Sequence, residues 1–203
     1  MPTKTFLNLQ KNKQDTIIDA SLKEFKRVLI KDASINKIIK DANISRGSFY
    51  TYFTDINDLY LYSINSYKKD LMKLIQNTLI ETNGNLIESA KLAYDKIIDF
   101  CEKDKQLFKN IFLNFNYNIS LRNEIYYTSI ENKYEIIEII SKIKTKDLNI
   151  KNEEELFIII DMISSFVIHG LIEIFLDNKS KDIIKEKINK QLEILKRGIH
   201  KED

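Results

Sequence analysis

A chain of 203 residues with 32 Lys and Arg against 30 Asp and Glu has room for one sizeable helical body, or for a small domain joined to a larger one. One Pro and four Gly make it poor in turn formers, which points to long helices with short connections, and no stretch reads as a strand between turn signals. A single cysteine, Cys101, excludes an intramolecular disulfide and suits a reducing cytoplasm, and Met1 to Gln14 lacks the apolar segment of a signal peptide.

In chain order, a polar arm carrying Lys4, Lys11 and Lys13 comes first and is expected to be mobile. A first helix is predicted from about Lys13 to Leu29, with Ile17, Ile18, Ala20, Leu22 and Phe25 as its apolar positions. Ser34 has the hydroxyl to cap a second helix, in which Ile35, Ile38, Ile39 and Ala42 recur at helical spacing. Asn43 follows, a residue that tolerates the left-handed conformation of a sharp turn, and Ile44 can plug the angle between two helices. Ser45 caps a third helix. Within it Phe49 and Phe53, four apart, face inward together. Arg46, Ser48, Tyr50 and Tyr52 are left outside, with Gly47 keeping part of that face low. A short helix showing Arg, hydroxyls and tyrosines to solvent is suited to phosphates and base edges.

The pattern Ile38, Ala42, Ile44, Ser45, Arg46, Gly47, Ser48, Phe49, Tyr50, Tyr52 and Phe53 closely resembles the DNA-binding signature of the tetracycline-repressor (TetR) family. Ile17, Ile18, Ala20 and Phe25 look like that family's first helix, and Asp58-Leu59 like the start of its fourth, so the resemblance covers about Asp15 to Leu59. Three positions depart from it: Asn43 replaces a common Gly, Ile39 a small residue, and Ile56 a Lys that often touches phosphate. The charge distribution agrees with a nucleic-acid partner. From Met1 to Thr54 there are 10 Lys and Arg against 5 Asp and Glu, a net of +5, while the remainder nets −3.

A long helix follows from Asp55 to about Glu81, with Tyr60, Ile64, Tyr67, Leu71, Leu74 and Leu79 on one face, and Thr82-Asn83-Gly84 ends it. Five more are predicted: Asn85 to Glu102, Lys105 to Leu113, Ser120 to Ile143, Glu153 to Leu176 and Lys181 to Ile199. A polar-aromatic break is expected at Asn114 to Asn118 and a loop at Lys144 to Asn152. The fold class is therefore all-α, of about nine helices: an N-terminal three-helix helix-turn-helix DNA-binding domain over residues 1–54, then a helical effector-binding and dimerisation domain over 55–203. Leu156 to Leu176 is apolar nearly all round. Asp161, His169 and Glu173 are costly inside a bilayer, so it is expected to pack on its own core by one face and on a second subunit by the other.

The expected DNA-binding residues are Ser34, Lys37, Ser45, Arg46, Gly47, Ser48, Tyr50 and Tyr52, with Arg46 placed to bond a base and the hydroxyls and Lys37 to reach phosphates. Phe108, Phe112, Phe115, Tyr126 and Tyr127 interleave with Asn114, Asn116 and Asn118, a composition that fits either a small-molecule pocket or plain core. His169 is added to the effector set. Four apart from Glu173, it has no third ligand in view, so no metal or cofactor is expected. The dimer interface is expected at Phe166, Gly170, Leu171, Ile188, Leu192 and Leu195, two helices from each subunit forming a four-helix bundle.

No enzyme motif is present: there is no phosphate-cradling glycine loop, no Cys pair and no nucleophile elbow. The expected function is that of a cytoplasmic homodimeric transcription regulator, most simply a repressor released from a palindromic operator in double-stranded DNA by a small-molecule effector. The resemblance implies that ligand shifts the fourth helix and changes the separation of the two reading heads. The alternative is a ligand-independent DNA-organising or protein-interaction regulator on the same fold.

Overall fold

The computed structural model describes residues 2–117 and 133–199. Among them are ten α-helices, two single 3₁₀ turns and no strand: α1 Lys4–Leu7, α2 Lys11–Arg27, α3 Ile35–Asp41, α4 Arg46–Tyr52, α5 Ile56–Glu81, α6 Leu86–Glu102, α7 Lys105–Tyr117, α8 Lys133–Ser141, α9 Glu153–Phe175 and α10 Lys181–Ile199. The backbone divides into two compact units. One holds residues 2–70 and 104–117, the other 71–103 and 133–199, and α5 runs from the first into the second.

The first unit, the head, contains more than the expected three helices. Leu59, Tyr60 and Ile64 of α5 and Leu107 of α7 are buried in one core with Ile17, Ala20, Phe25, Ile38, Phe49 and Phe53. The boundary expected after Thr54 therefore moves to about Asp70, because the reading helices are too short to enclose a core without these two. The arm is a second difference. It folds into α1 and places Phe6 among Tyr52, Phe53 and Tyr62, with ring centroids 5.9, 4.7 and 5.3 Å away. One buried aromatic outweighs the polar character of its neighbours.

The expected turns appear where the residues allow them. Asn43, between α3 and α4, has φ 50°, and Asn83 and Gly84 have φ 52° and 77° at the end of α5. A Cβ at Gly84 would lie 2.6 Å from the Lys142 carbonyl oxygen, so conformation and space both call for glycine there. Asn85 and Asn152 cap α6 and α9, each accepting from the N–H three residues on. The predicted break at Asn114 is instead helical to Tyr117, while much of the expected Ser120 to Ile143 helix lies outside the described residues.

The second unit, the body, has a mainly aliphatic core of Leu79, Ile87, Ile97, Ile98, Ile159, Ile163, Leu171, Ile174, Ile184, Ile188 and Leu192, joined by the rings of Tyr94 and Phe175, and Cys101 is buried. Burial pushes the Cys101 thiol up to about 12, away from reactive thiolate. Helix α9 is long and apolar enough to cross a membrane, with mean hydropathy 1.9 over its best window, and the body buries only a third of that window.

Candidate nucleic-acid interface

The helix-turn-helix is held by polar caps at every junction. Ser34 Oγ accepts from the Lys37 N–H at 3.4 Å to start α3, and Ser45 Oγ accepts from the Ser48 N–H at 3.0 Å to start α4. Glu24, buried at the end of α2, links this helix to the next. Its oxygens accept from Arg27 Nε and Nη2 at 2.8 and 2.7 Å and from the Ser34 N–H at 3.0 Å. The Arg27 guanidinium beside it holds its carboxyl below the usual range.

Two asparagines of α7 complete the scaffold. Asn110 is buried and its Nδ2 donates to the carbonyls of Phe25, Lys26 and Val28 at 2.8, 3.0 and 3.4 Å, capping the end of α2. Asn114 accepts from the Ile30 N–H and donates to the Tyr60 hydroxyl, both at 3.3 Å. Sequence reasoning left Asn114 between a pocket and plain core, at the start of a helix break, and passed over Asn110. Only the folding of α7 against the rest of the head brings them to these partners.

On the surface of α4, Arg46 is exposed at the helix start and organised from two sides. Its Nη1 donates to Asn36 Oδ1 at 2.8 Å and its Nη2 to the Tyr50 hydroxyl at 3.4 Å, with the guanidinium carbon 5.7 Å from the Tyr50 ring centroid. Asn36 was missed by the sequence reading. It lies ten residues from Arg46, and only the helix-turn-helix angle makes them neighbours. Tyr50 is half exposed, Lys37 and Gly47 are exposed, and a Cβ at Gly47 would meet nothing nearer than Ser45 Oγ at 3.7 Å. Among the described residues nothing requires glycine there, and Gly47 leaves a bare, exposed patch on α4. Ser48 is half-buried and its hydroxyl shares a 2.8 Å hydrogen bond with that of Ser45. Tyr52 differs from expectation. It is 8% exposed, its ring packed against Phe6, and belongs to the core of the head rather than to the outer face.

Of the expected effector residues, Phe108, Phe112 and Phe115 share α7 in the head, and His169 lies on α9 in the body. Phe108 is buried, with its ring edge-on to Tyr67 at 5.6 Å, and Phe112 and Phe115 are half-buried on the same helix. Tyr126 and Tyr127 lie outside the described residues. His169 is exposed on α9, 3.8 Å from Glu173, whose two oxygens are already held by Lys179 and Lys187 at 2.5 and 2.6 Å.

The dimer residues are redistributed as well. Gly170, Leu171, Ile188 and Leu192 are buried within their own body, and Phe166 and Leu195 are half-buried. A Cβ at Gly170 would sit 2.4 Å from the Tyr94 hydroxyl and 3.1 Å from Ile188 Cδ1, so this glycine makes room for α6 and α10 of the same chain. The apolar side chains left in water on these two helices are Phe157, Ile158 and Met162 of α9 and Ile183 and Ile194 of α10.

Comparison with known proteins agrees with this architecture. Residues 17–62 match the model of bacterial regulatory proteins of the tetR family, and residues 85–199 match that of the tetracyclin repressor-like C-terminal domain. The uncharacterized HTH-type transcriptional regulator YdgC of Bacillus subtilis is 29% identical over 102 residues, 48% of this chain and 52% of that protein, so the match spans about half the length of that relative. Among solved structures, the transcriptional regulator FadR of Bacillus subtilis, crystallised with stearoyl-CoA, has a TM-score of 0.64 at 20% identity over 92% of this chain and 99% of its own. The multidrug binding protein EbrR, complexed with imidazole, has a TM-score of 0.62 at 11% identity over 90% of each chain. At such identities these two likenesses speak for the fold alone. With a capped helix-turn-helix whose outer face shows an organised arginine, and family models matched over both the head and most of the body, this chain belongs to the TetR family of DNA-binding transcriptional regulators.

Proposed function

We propose that the protein is a cytoplasmic homodimeric repressor that reads a palindromic operator and is released by a small-molecule effector. The observation that carries the reading is Arg46, exposed at the start of α4 with its guanidinium steadied by Asn36 and Tyr50. A guanidinium fixed in direction bonds guanine through two parallel hydrogen bonds, a pair worth about 1–3 kcal/mol of discrimination. Ser34, Lys37, Ser45, Ser48 and Tyr50 surround it with groups suited to phosphate oxygens, and bare Gly47 permits close approach of the helix to the groove.

Dimerisation rests on the outward side of α9 and α10. Ile158 and Met162, four apart, lie to one side of the buried row Leu156, Ile159 and Ile163, and Ile183 and Ile194 lie off the buried row of α10. Two heads related by a two-fold axis read successive major grooves, about 34–36 Å apart. Effector control is supported by the likeness in fold to a transcriptional regulator crystallised with stearoyl-CoA and to a multidrug binding protein complexed with imidazole. In that reading ligand prefers the DNA-incompetent state, and DNA lowers the affinity for ligand by the same factor as ligand lowers that for DNA. The burial of Phe108 beside Tyr67 favours a second reading, regulation without a ligand, since such a ring fills core rather than lining a cavity.

Selection of bound duplexes from a random-sequence pool, followed by titration with single-base variants, tests the proposal. A palindromic motif should emerge, and Arg46→Ala should flatten the preference at one base pair of each half-site. An unchanged preference profile would remove Arg46 from base reading. Failure of the wild-type chain to enrich any palindrome would defeat the operator reading itself.

A further inference from the structure

The N-terminal segment has no assigned role, yet it is fastened to the end of the reading helix. The Thr3 N–H donates to the Tyr52 carbonyl at 2.9 Å and Thr3 Oγ1 donates to the Thr51 carbonyl at 2.7 Å, so two of the last carbonyls of α4 are capped from outside the helix. Phe6 is fully buried in the aromatic cluster of the head, and Gln14 of α2 closes the other end by donating to the carbonyls of Leu7 and Leu9, each at 3.0 Å. The segment is thus pinned at Thr3, at Phe6 and at its exit.

Lys4 stands directly after the residue bonded to α4. At about 100° per residue it points away from the side on which Phe6 enters the core. Lys4 is exposed, and no ion pair engages it among the described residues, whereas Lys11 is paired with Asp15 at 2.7 Å. Helix α4 has its one cation, Arg46, at its start and no basic residue in its last turn, and the next helix opens with the apolar Ile56. A helix lying in a major groove has a phosphate strand along each wall, so a charge is wanted at its far end as well as its near one.

We infer that the segment from Thr3 to Leu9 is a working part of the DNA-reading surface, in which Thr3 docks the segment on the end of α4 and Lys4 supplies the cationic phosphate contact that the end of α4 lacks. This rests on the reading that α3 and α4 bind duplex DNA. The contact is electrostatic and independent of sequence, so it differs from that of Arg46 in kind.

The test uses the full chain and the duplex enriched by the wild type from a random-sequence pool, titrated over a range of salt. Lys4→Ala should weaken binding severalfold on every duplex, leave the base-preference profile unchanged, and lower the slope of log affinity against log salt by about 0.9 for each bound copy. Thr3→Val, which keeps the β-branched shape and loses the hydroxyl, should reproduce part of the loss and make a subsequent Lys4→Ala change less costly. Lys146→Ala, a control in the body, should leave the slope alone. An unaltered slope for Lys4→Ala, or an equal fall for Lys146→Ala, would overturn the inference while leaving the helix-turn-helix reading intact. Only failure of the wild type to bind any duplex would defeat both.

Discussion

The head and the body are both all-helical, but they are held together by different forces. In the head, α3 and α4 have seven residues each, a length at which isolated helices are unstable in water. Their persistence depends on Ser34 and Ser45 at the caps, on Glu24 between α2 and α3, and on an aromatic cluster of Phe6, Phe49, Tyr52, Phe53 and Tyr62. Apart from the nine-residue α8, the helices lying wholly in the body have 17 to 23 residues and pack around mainly aliphatic side chains, and its most buried carboxylate, Glu173, ties the end of α9 to Lys179 and to Lys187 of α10. A head built from caps fixes the direction of a few surface groups. A body built from interlocking apolar faces can present the same face to its own core or to a partner.

The sharpest way to break this comparison is Phe49→Ala. The ring is fully buried between Phe53 and the α2 core, so its removal should cost about 3–5 kcal/mol and unfold the head preferentially. Hydrogen exchange resolved by peptide should show α2 to α4 losing protection before α9 and α10. Uniform loss would mean that the two units fold as one. The matching change in the body is Gly170→Ala, which drives a methyl group into the Tyr94 hydroxyl. It should lower stability by about 1–3 kcal/mol, read in urea melts, and do so at every protein concentration. An effect that appears only where the protein dimerises would return Gly170 to the subunit interface.

Acid separates the two regions by a smaller margin. The Lys179 and Lys187 ammonium groups hold the Glu173 carboxyl down to about 2, from an ordinary 4.5. A carboxyl with a depressed folded-state pKa stabilises the fold above its unfolded pKa, and that contribution is lost as pH falls through the folded value. The wild-type body should therefore lose stability between about pH 4.5 and 2, and Glu173→Gln should shrink that dependence while lowering stability at neutral pH. A Glu173→Gln melt that follows the wild type across the window would show that the lysines contribute nothing. The smallest effect is expected at Asn36→Ala. It frees the Arg46 guanidinium without touching the core, so base discrimination should soften severalfold at the position Arg46 reads while thermal stability stays near that of the wild type. An even loss across all sequences would make Asn36 a phosphate contact instead.

Local signals along the chain determined the helical class, the two serine caps, the left-handed turn at Asn43 and the inward pair Phe49 and Phe53, because each is decided within one or two turns of backbone. The same signals put Arg46 on the outer face of α4. They did not decide Tyr52, whose ring packs against Phe6 from an arm that looks polar, nor Asn110 and Asn114, which meet the end of α2 and the Ile30 N–H from more than 80 residues away. In the body, periodicity found α9 and α10 but could not say which apolar stripe faced inward, since α9 is apolar on both sides. Gly170 was read as a point of contact between subunits, whereas it is the space into which Tyr94 fits. Caps and turns are legible because their partners are near in sequence. The choice between two equally apolar faces is made only by what packs against them, and that is a property of the tertiary structure.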